Sequence, residues 1–152
     1  MEGHGFNLAM QALDRSKPVF SASAVGLARA AYEYALAYSK QREQFGRPIF
    51  ENQAIQFMFA DMVMEIQAAR LLAWSAAWKI DKGVSATMDA AIAKCYATDM
   101  ALRVTTDCVQ LLGGYGYMKE YPTEKYMRDA KILQIVEGTN QIQRMVIASS
   151  LL

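Results

Sequence analysis

The stretch Gln53–Lys82, QAIQFMFADMVMEIQAARLLAWSAAWKIDK, decides the fold. Ile55, Met58, Phe59, Met62, Ile66 and Ala69 recur at the i, i+3, i+4, i+7 spacing that lines one face of a helix. No Gly or Pro interrupts the run, and Gly83 follows it as a candidate C-terminal cap. One helix from about Gln53 to Lys82 is expected. Upstream, "FGRPIFENQ" supplies Gly46 and Pro48 as breakers, so Phe45 to about Asn52 reads as a loop. Before it, a second helix is expected from roughly Val19 to Gln41, with Pro18 at its first turn, and before that a short amphipathic piece over about Phe6–Leu13. Downstream, "DKGVSAT" is a tight connection in which Ser85 or Thr87 could cap a third helix ending near Leu112, at "GGYGY". A turn at Pro122, a short helix around Thr123–Ala130 and a last helix starting after Gly138 complete the chain. Long helices joined by short loops pack antiparallel, so the expected fold is all-α: an up-and-down bundle of about four main helices with short additional ones.

Composition agrees with that reading. The chain has 152 residues, 53% of them hydrophobic, which fits one domain with a sizeable core. Ten Met against three Pro favour helices over a turn-rich β fold. A net charge of +1 gives no electrostatic case for nucleic acid or an anionic membrane. Arg70 and Lys79 interrupt the most apolar segment, and "MEGHGFNLAM" has neither the basic start nor the apolar run of a signal peptide. A soluble protein without membrane insertion is expected. Cys95 and Cys108 have no metal-type spacing, and a reducing compartment suits them better than a disulfide.

Several chemistries fall away. A di-metal bundle needs Glu-x-x-His pairs, and a Ser or Cys nucleophile needs a base in reach; the one histidine is His4, near the start. The glycines of "LLGGYGY" follow a helix, where they could form a left-handed cap or bring backbone close to a phosphate. Arg42 could complement the end of its helix or clamp a pyrophosphate with its planar fork. "DRSKP", Asp14 to Pro18, reads most simply as a solvated turn. Glu137 is set apart by its neighbours: Ile132, Leu133, Ile135 and Val136 precede it, Gly138 follows, and no cation comes before Arg144. It is either a general base held in a drying apolar setting or an exposed acid near a helix N-terminus.

Taken in order, "REQFG", "QLLGGYGY", "YPTEKYMRDAKI" and "IVEGTNQIQR" resemble the C-terminal domain of acyl-CoA dehydrogenases, and the resemblance runs from "GFNLAMQALDRSKP" to "RMVIASSLL". The resemblance implies FAD-dependent α,β-dehydrogenation of an acyl-CoA thioester, a reaction of fatty acid metabolism. Glu137 matches the base that removes the α-proton, and Gly138 the residue that lets the chain pass close to the substrate. Asp14, Arg15, Ser16 and Lys17 match the segment that meets the acyl-CoA. Arg42, Gln44 and Phe45 match residues that hold the adenosine and pyrophosphate end of FAD across a subunit boundary, with Gln53 a nearby flavin contact. Gln110, Gly113 and Gly114 match the backbone approach to the partner subunit's FAD, and Thr139 and Gln141 match contacts from the start of the last helix. Lys17 stands where relatives often carry Arg, and Val136 where they often carry Tyr. Some relatives place the base near "DRSKP"; Ser16 cannot act as one, which leaves Glu137. The resemblance further implies a dimer or tetramer, an electron-transferring flavoprotein as acceptor, and a cytosolic or mitochondrial-matrix setting. Residues 1–152 match the third domain alone, so the N-terminal helical and middle β domains are expected to lie outside the chain, which by itself is expected to fold without turnover. The alternative function is non-catalytic: a helical bundle serving assembly.

Overall fold

The computed structural model describes residues 3–152. Helix α1 spans Gly5–Gln41, α2 Gln53–Asp81 and α3 Thr87–Leu112, each packed on the other two. Two short helices, α4 (Thr123–Leu133) and α5 (Asn140–Ser149), lie against α3, and α4 also touches α1. The all-α bundle is as expected, with the end of the chain divided between these two short helices.

Small residues set how closely the long helices approach. Ala24, Ala28, Ala31 and Ala35 of α1 are fully buried, as are Ala69 and Ala76 of α2 and Ala93, Ala97 and Ala101 of α3. Such seams bring helix axes together, because interaxial distance follows the side chains at the contact. Phe59, Met62, Ile66, Met100, Val104 and Leu112 fill the space beside them. Cys95 and Cys108 are both buried and free, and burial pushes the Cys108 thiol up to about 12.

Three boundaries differ from the sequence reading. Helix α1 runs straight through Pro18, so the piece at Phe6–Leu13 and the helix from Val19 are one element. Proline removes one donor from the ladder, and side chains around it tie the turn: Ser16 Oγ reaches the Leu13 carbonyl at 3.0 Å and Lys17 Nζ reaches Asp14 Oδ1 at 2.8 Å. At α3, the cap position is Ala86, not Ser85 or Thr87: Thr87 is already the first helical residue, and its hydroxyl donates across to Asp14 Oδ2 of α1 at 2.6 Å. The loop after α1 holds a small hairpin, β1 (Glu43–Gln44) against β2 (Arg47–Pro48), followed by a 3₁₀ turn at Ile49–Glu51. Its two turn residues, Phe45 and Gly46, both have positive φ, as a tight hairpin turn demands.

Gly83 caps α2 as expected: its N–H bonds Ile80 O, and the Val84 N–H bonds Lys79 O, the paired closure of a Schellman motif. Gly113 ends α3 otherwise. Its φ of 62° comes with an extended ψ of −138°, outside the left-handed helical cap, and the chain turns into a 3₁₀ segment over Gly113–Tyr117. Among the described residues no helix is long and apolar enough to cross a membrane, and no cluster of His, Cys, Asp and Glu could hold a metal.

Candidate functional site

The singled-out residues gather at two separate places. The first is the connection between α4 and α5, opposite the start of α1. Glu137 is half-buried there with φ 58°, a left-handed conformation uncommon for a residue with a Cβ, and Gly138 follows at φ 79°. The positive φ at 138 favours glycine, and an added Cβ would lie 2.7 Å from Gln143 Nε2, so that amide would have to move. That amide donates to the carbonyls of Glu137 at 3.0 Å and Gly138 at 3.2 Å. On the other side, Ser16 Oγ stands 2.6 Å from Glu137 Oε2. The hydroxyl has one proton for the carboxylate or the Leu13 carbonyl, and an ionised carboxylate is the stronger acceptor. Among the described residues the Glu137 N–H donates to no protein oxygen.

Lys17 and Asp14 form a partly buried ion pair beside this loop, and Arg15 points outward, lining a cleft of about 430 Å³ with Asp14, Ser85 and Thr87. "DRSKP" is therefore helical and tied in, not a solvated turn. Thr139 caps α5, its hydroxyl accepting from the Ile142 N–H at 3.3 Å, and Gln141 is exposed in the first turn. Arg144 does not pair with Glu137. It bonds Asp99 Oδ2 at 2.6 Å and the Asn140 carbonyl at 3.2 Å.

Sequence reasoning missed the polar cluster under the loop. Lys94, fully buried, donates to Gly138 O at 2.9 Å and Asn140 Oδ1 at 2.8 Å. The Asn140 amide in turn reaches Asp99 Oδ1 at 2.6 Å, and Gln134 reaches the same oxygen at 2.7 Å. Burial alone would raise the Asp99 carboxyl, but hydrogen bonds from Arg144, Asn140 and Gln134 outweigh it and hold the group below the usual carboxylate range. A lysine inside a helical segment gives no sequence sign of this. The one available clue was Asn140, a cap-type residue just inside a helix.

The second place lies at the far end of α1. Arg42, Gln44, Gln110, Gly113 and Gly114 line one open cavity of about 590 Å³, together with Tyr38 and Tyr115. The Arg42 guanidinium lies over the Tyr115 ring, 5.9 Å from its centroid, and pairs with no carboxylate among the described residues. A Cβ added at Gly113 or Gly114 would meet nothing within 4 Å, so their backbone faces open space. An unpaired planar cation facing bare peptide groups suits a phosphate-bearing ligand. Phe45 and Gln53 are exposed nearby in the chain, at the hairpin tip and the first turn of α2, and do not line the cavity. The rise from Ser16 to Gln41 along the helix is roughly 38 Å at ~1.5 Å per residue. The two places are far apart on one chain.

Comparison with known proteins identifies the family. Residues 3–152 match the family model for the acyl-CoA dehydrogenase C-terminal domain. A short-chain-specific acyl-CoA dehydrogenase of Megasphaera elsdenii is 54% identical over 151 residues, which is 99% of this chain and 39% of that protein. The structure of butyryl-CoA dehydrogenase from the same organism superposes with a TM-score of 0.98 at 53% identity, over 99% of this chain and 39% of that one. A chain in a structure titled for the electron transferring flavoprotein of Acidaminococcus fermentans matches at TM-score 0.98 and 52% identity, over 100% and 40%. The chain thus spans about two fifths of the length of the relatives it matches. By fold, by sequence and over nearly its whole length, it belongs to the acyl-CoA dehydrogenases, as their C-terminal domain.

Proposed function

We propose that this domain supplies the catalytic base and one wall of the dinucleotide site for FAD-dependent α,β-dehydrogenation of an acyl-CoA. The observation that carries the reading is the Glu137 carboxylate, set on a left-handed backbone position with its own carbonyl tied down and its Oε2 held by Ser16. FAD, when bound, supplies the acceptor for the β-hydrogen as hydride. Glu137 takes the α-proton, and two features of the chain favour that transfer. The free Glu137 N–H can bind the thioester oxygen, where negative charge develops as the proton leaves. Apolar Ile135 and Val136 lie beside the acid, and an acyl chain against them would exclude water and strengthen both contacts. Asp14, Arg15 and Lys17 border the acyl-CoA side, with Gly138 admitting close approach.

The cavity at the other end of α1 fits the adenosine and pyrophosphate half of FAD: Arg42 and Gln44 on one side, Gln110 and the Gly113–Gly114 backbone on the other. Phe45 and Gln53 would reach the same ligand from the hairpin tip and the start of α2, whereas Thr139 and Gln141, at the Glu137 end of the chain, would meet the FAD whose adenosine half is cradled by another copy. About 38 Å of α1 separates this cavity from Glu137, farther than one extended dinucleotide spans. A complete site then takes its base from one copy and its adenosine cradle from another, which supports a homo-oligomer. In that assembly an electron-transferring flavoprotein is the expected acceptor.

The test is Glu137→Gln in the FAD-loaded enzyme that carries this chain. It keeps size and hydrogen bonding and removes the base, so the rate should fall ~10²–10⁴-fold while the flavin spectrum and acyl-CoA binding persist. A variant that keeps most of the parent rate would remove Glu137 from the role.

A further inference from the structure

Lys94 heads the fully buried side chains by volume. It sits in the first third of α3, and its ammonium contacts two oxygens, Gly138 O and Asn140 Oδ1. It pairs directly with no carboxylate among the described residues. The charged groups that face it are Glu137 of the loop, Asp99 on α3, already bonded to Arg144 of α5, and Lys17 of α1, already paired to Asp14; the Cys95 thiol adjoins it. Burial pulls the Lys94 ammonium below the ordinary lysine range, and Cys95, Asp99 and Glu137 act against that pull. An isolated buried cation is unfavourable, and an apolar side chain of similar volume would fill the same space more cheaply. Its two bonds to the loop account for a lysine here.

The loop needs restraint. Two consecutive residues, Glu137 and Gly138, are left-handed, and for glutamate such a conformation persists only when its surroundings over-determine it. Gln143, itself buried, holds both carbonyls, and Lys94 adds a full positive charge at the Gly138 carbonyl. We infer that Lys94 is a positioning residue for the dehydrogenation: by gripping the Gly138 carbonyl from inside the bundle, it fixes the left-handed Glu137 backbone and aims the carboxylate. The inference rests on Glu137 being the base.

The experiment uses Lys94→Met, which keeps length and loses the donor and charge, with Lys94→Gln as a milder second variant. Both are made in the FAD-loaded enzyme. Misplacing a catalytic group by an ångström costs up to ~10²-fold in rate, so kcat should fall by about 10- to 100-fold in Lys94→Met and less in Lys94→Gln. KM and flavin content should stay within about twofold. Amide hydrogen exchange should accelerate at residues 137–140 and stay unchanged along the rest of α3. A Lys94→Met enzyme with parental kcat and unchanged loop exchange overturns the assignment. So does exchange that accelerates through the whole bundle, or failure of both variants to fold, because Lys94 would then serve the core. Glu137→Gln run alongside separates the two readings: if it is active, the base assignment fails; if it is inactive while Lys94→Met is unimpaired, only the role of Lys94 fails.

Discussion

Asp99 and Lys94 are five residues apart on α3, and their environments shift them in ways that give stability two pH windows. The folded Asp99 carboxyl is held low by its hydrogen bonds, so its contribution is present above the ordinary value of ~3.9 and is lost as pH falls through the folded value. Asp99→Asn should flatten the acid limb of a denaturation series run below about pH 4. Lys94 acts in the other window. Its folded value is lowered, so between that value and the ordinary ~10.4 the unfolded chain holds more protons and stability rises with pH. Urea melts at stepped alkaline pH should show that rise in the parent and not in Lys94→Met; equal slopes would refute it. At Gly116 the constraint is steric. A Cβ there would lie 2.6 Å from the Val109 carbonyl and 2.9 Å from Leu112 Cβ, backbone and core that cannot retreat. Gly116→Ala should cost about 1–3 kcal/mol in a urea melt, as overpacking does. Around the loop, Glu137 stood out in the sequence, because an apolar approach and a following Gly mark it. Lys94 and Gln143 read as ordinary helical polar residues, since their partners lie in a loop that only the fold brings to them.

Helix α5 shows how one cap can matter to a whole element. It has 10 residues, and isolated helices shorter than ~12–15 residues are marginal in water. Its N-terminus relies on the Thr139 hydroxyl, and its first residue, Asn140, is knotted into Lys94, Thr98 and Asp99 of α3. Thr139→Ala should cost about 1 kcal/mol, with amide exchange rising first in α5. Unchanged exchange there would mean that the contacts with α3 hold the helix without its cap. Element boundaries were legible where chemistry is local. Gly83 closes α2 because nothing but its own backbone is involved, and the Gln53 start of α2 follows from periodicity alone. They were illegible where a distant partner intervened. Pro18 reads as a helix start, yet the ties from Ser16 and Lys17 carry α1 through it. Thr87 reads as a cap, yet Asp14 on another helix claims its hydroxyl.

Helix α2 is apolar on two sides, and that bears on assembly. Its inner face buries Phe59, Met62, Ile66 and Ala69, while Phe57, Met64, Leu71 and Trp78 recur at seven-residue intervals on the outside with 58–62% of each exposed. Trp74 adds a second exposed indole at 62%. An exposed apolar stripe of this length marks an interaction surface. A second copy is the economical occupant: a two-fold axis along the stripe sets like residues against like, and closed symmetric oligomers are the rule for soluble proteins. On the proposed roles of Glu137 and the Arg42 cavity, their separation along α1 supports a second copy independently. Sedimentation of the chain at micromolar concentration should therefore give a dimer or tetramer. Leu71→Glu places a charge in the middle of the stripe without touching the core, so it should shift the distribution toward monomer while the helical circular dichroism stays unchanged. A parent that sediments as a monomer across that range sinks the assembly. An oligomer indifferent to Leu71→Glu moves the contact to a different face and leaves the α2 stripe without a partner.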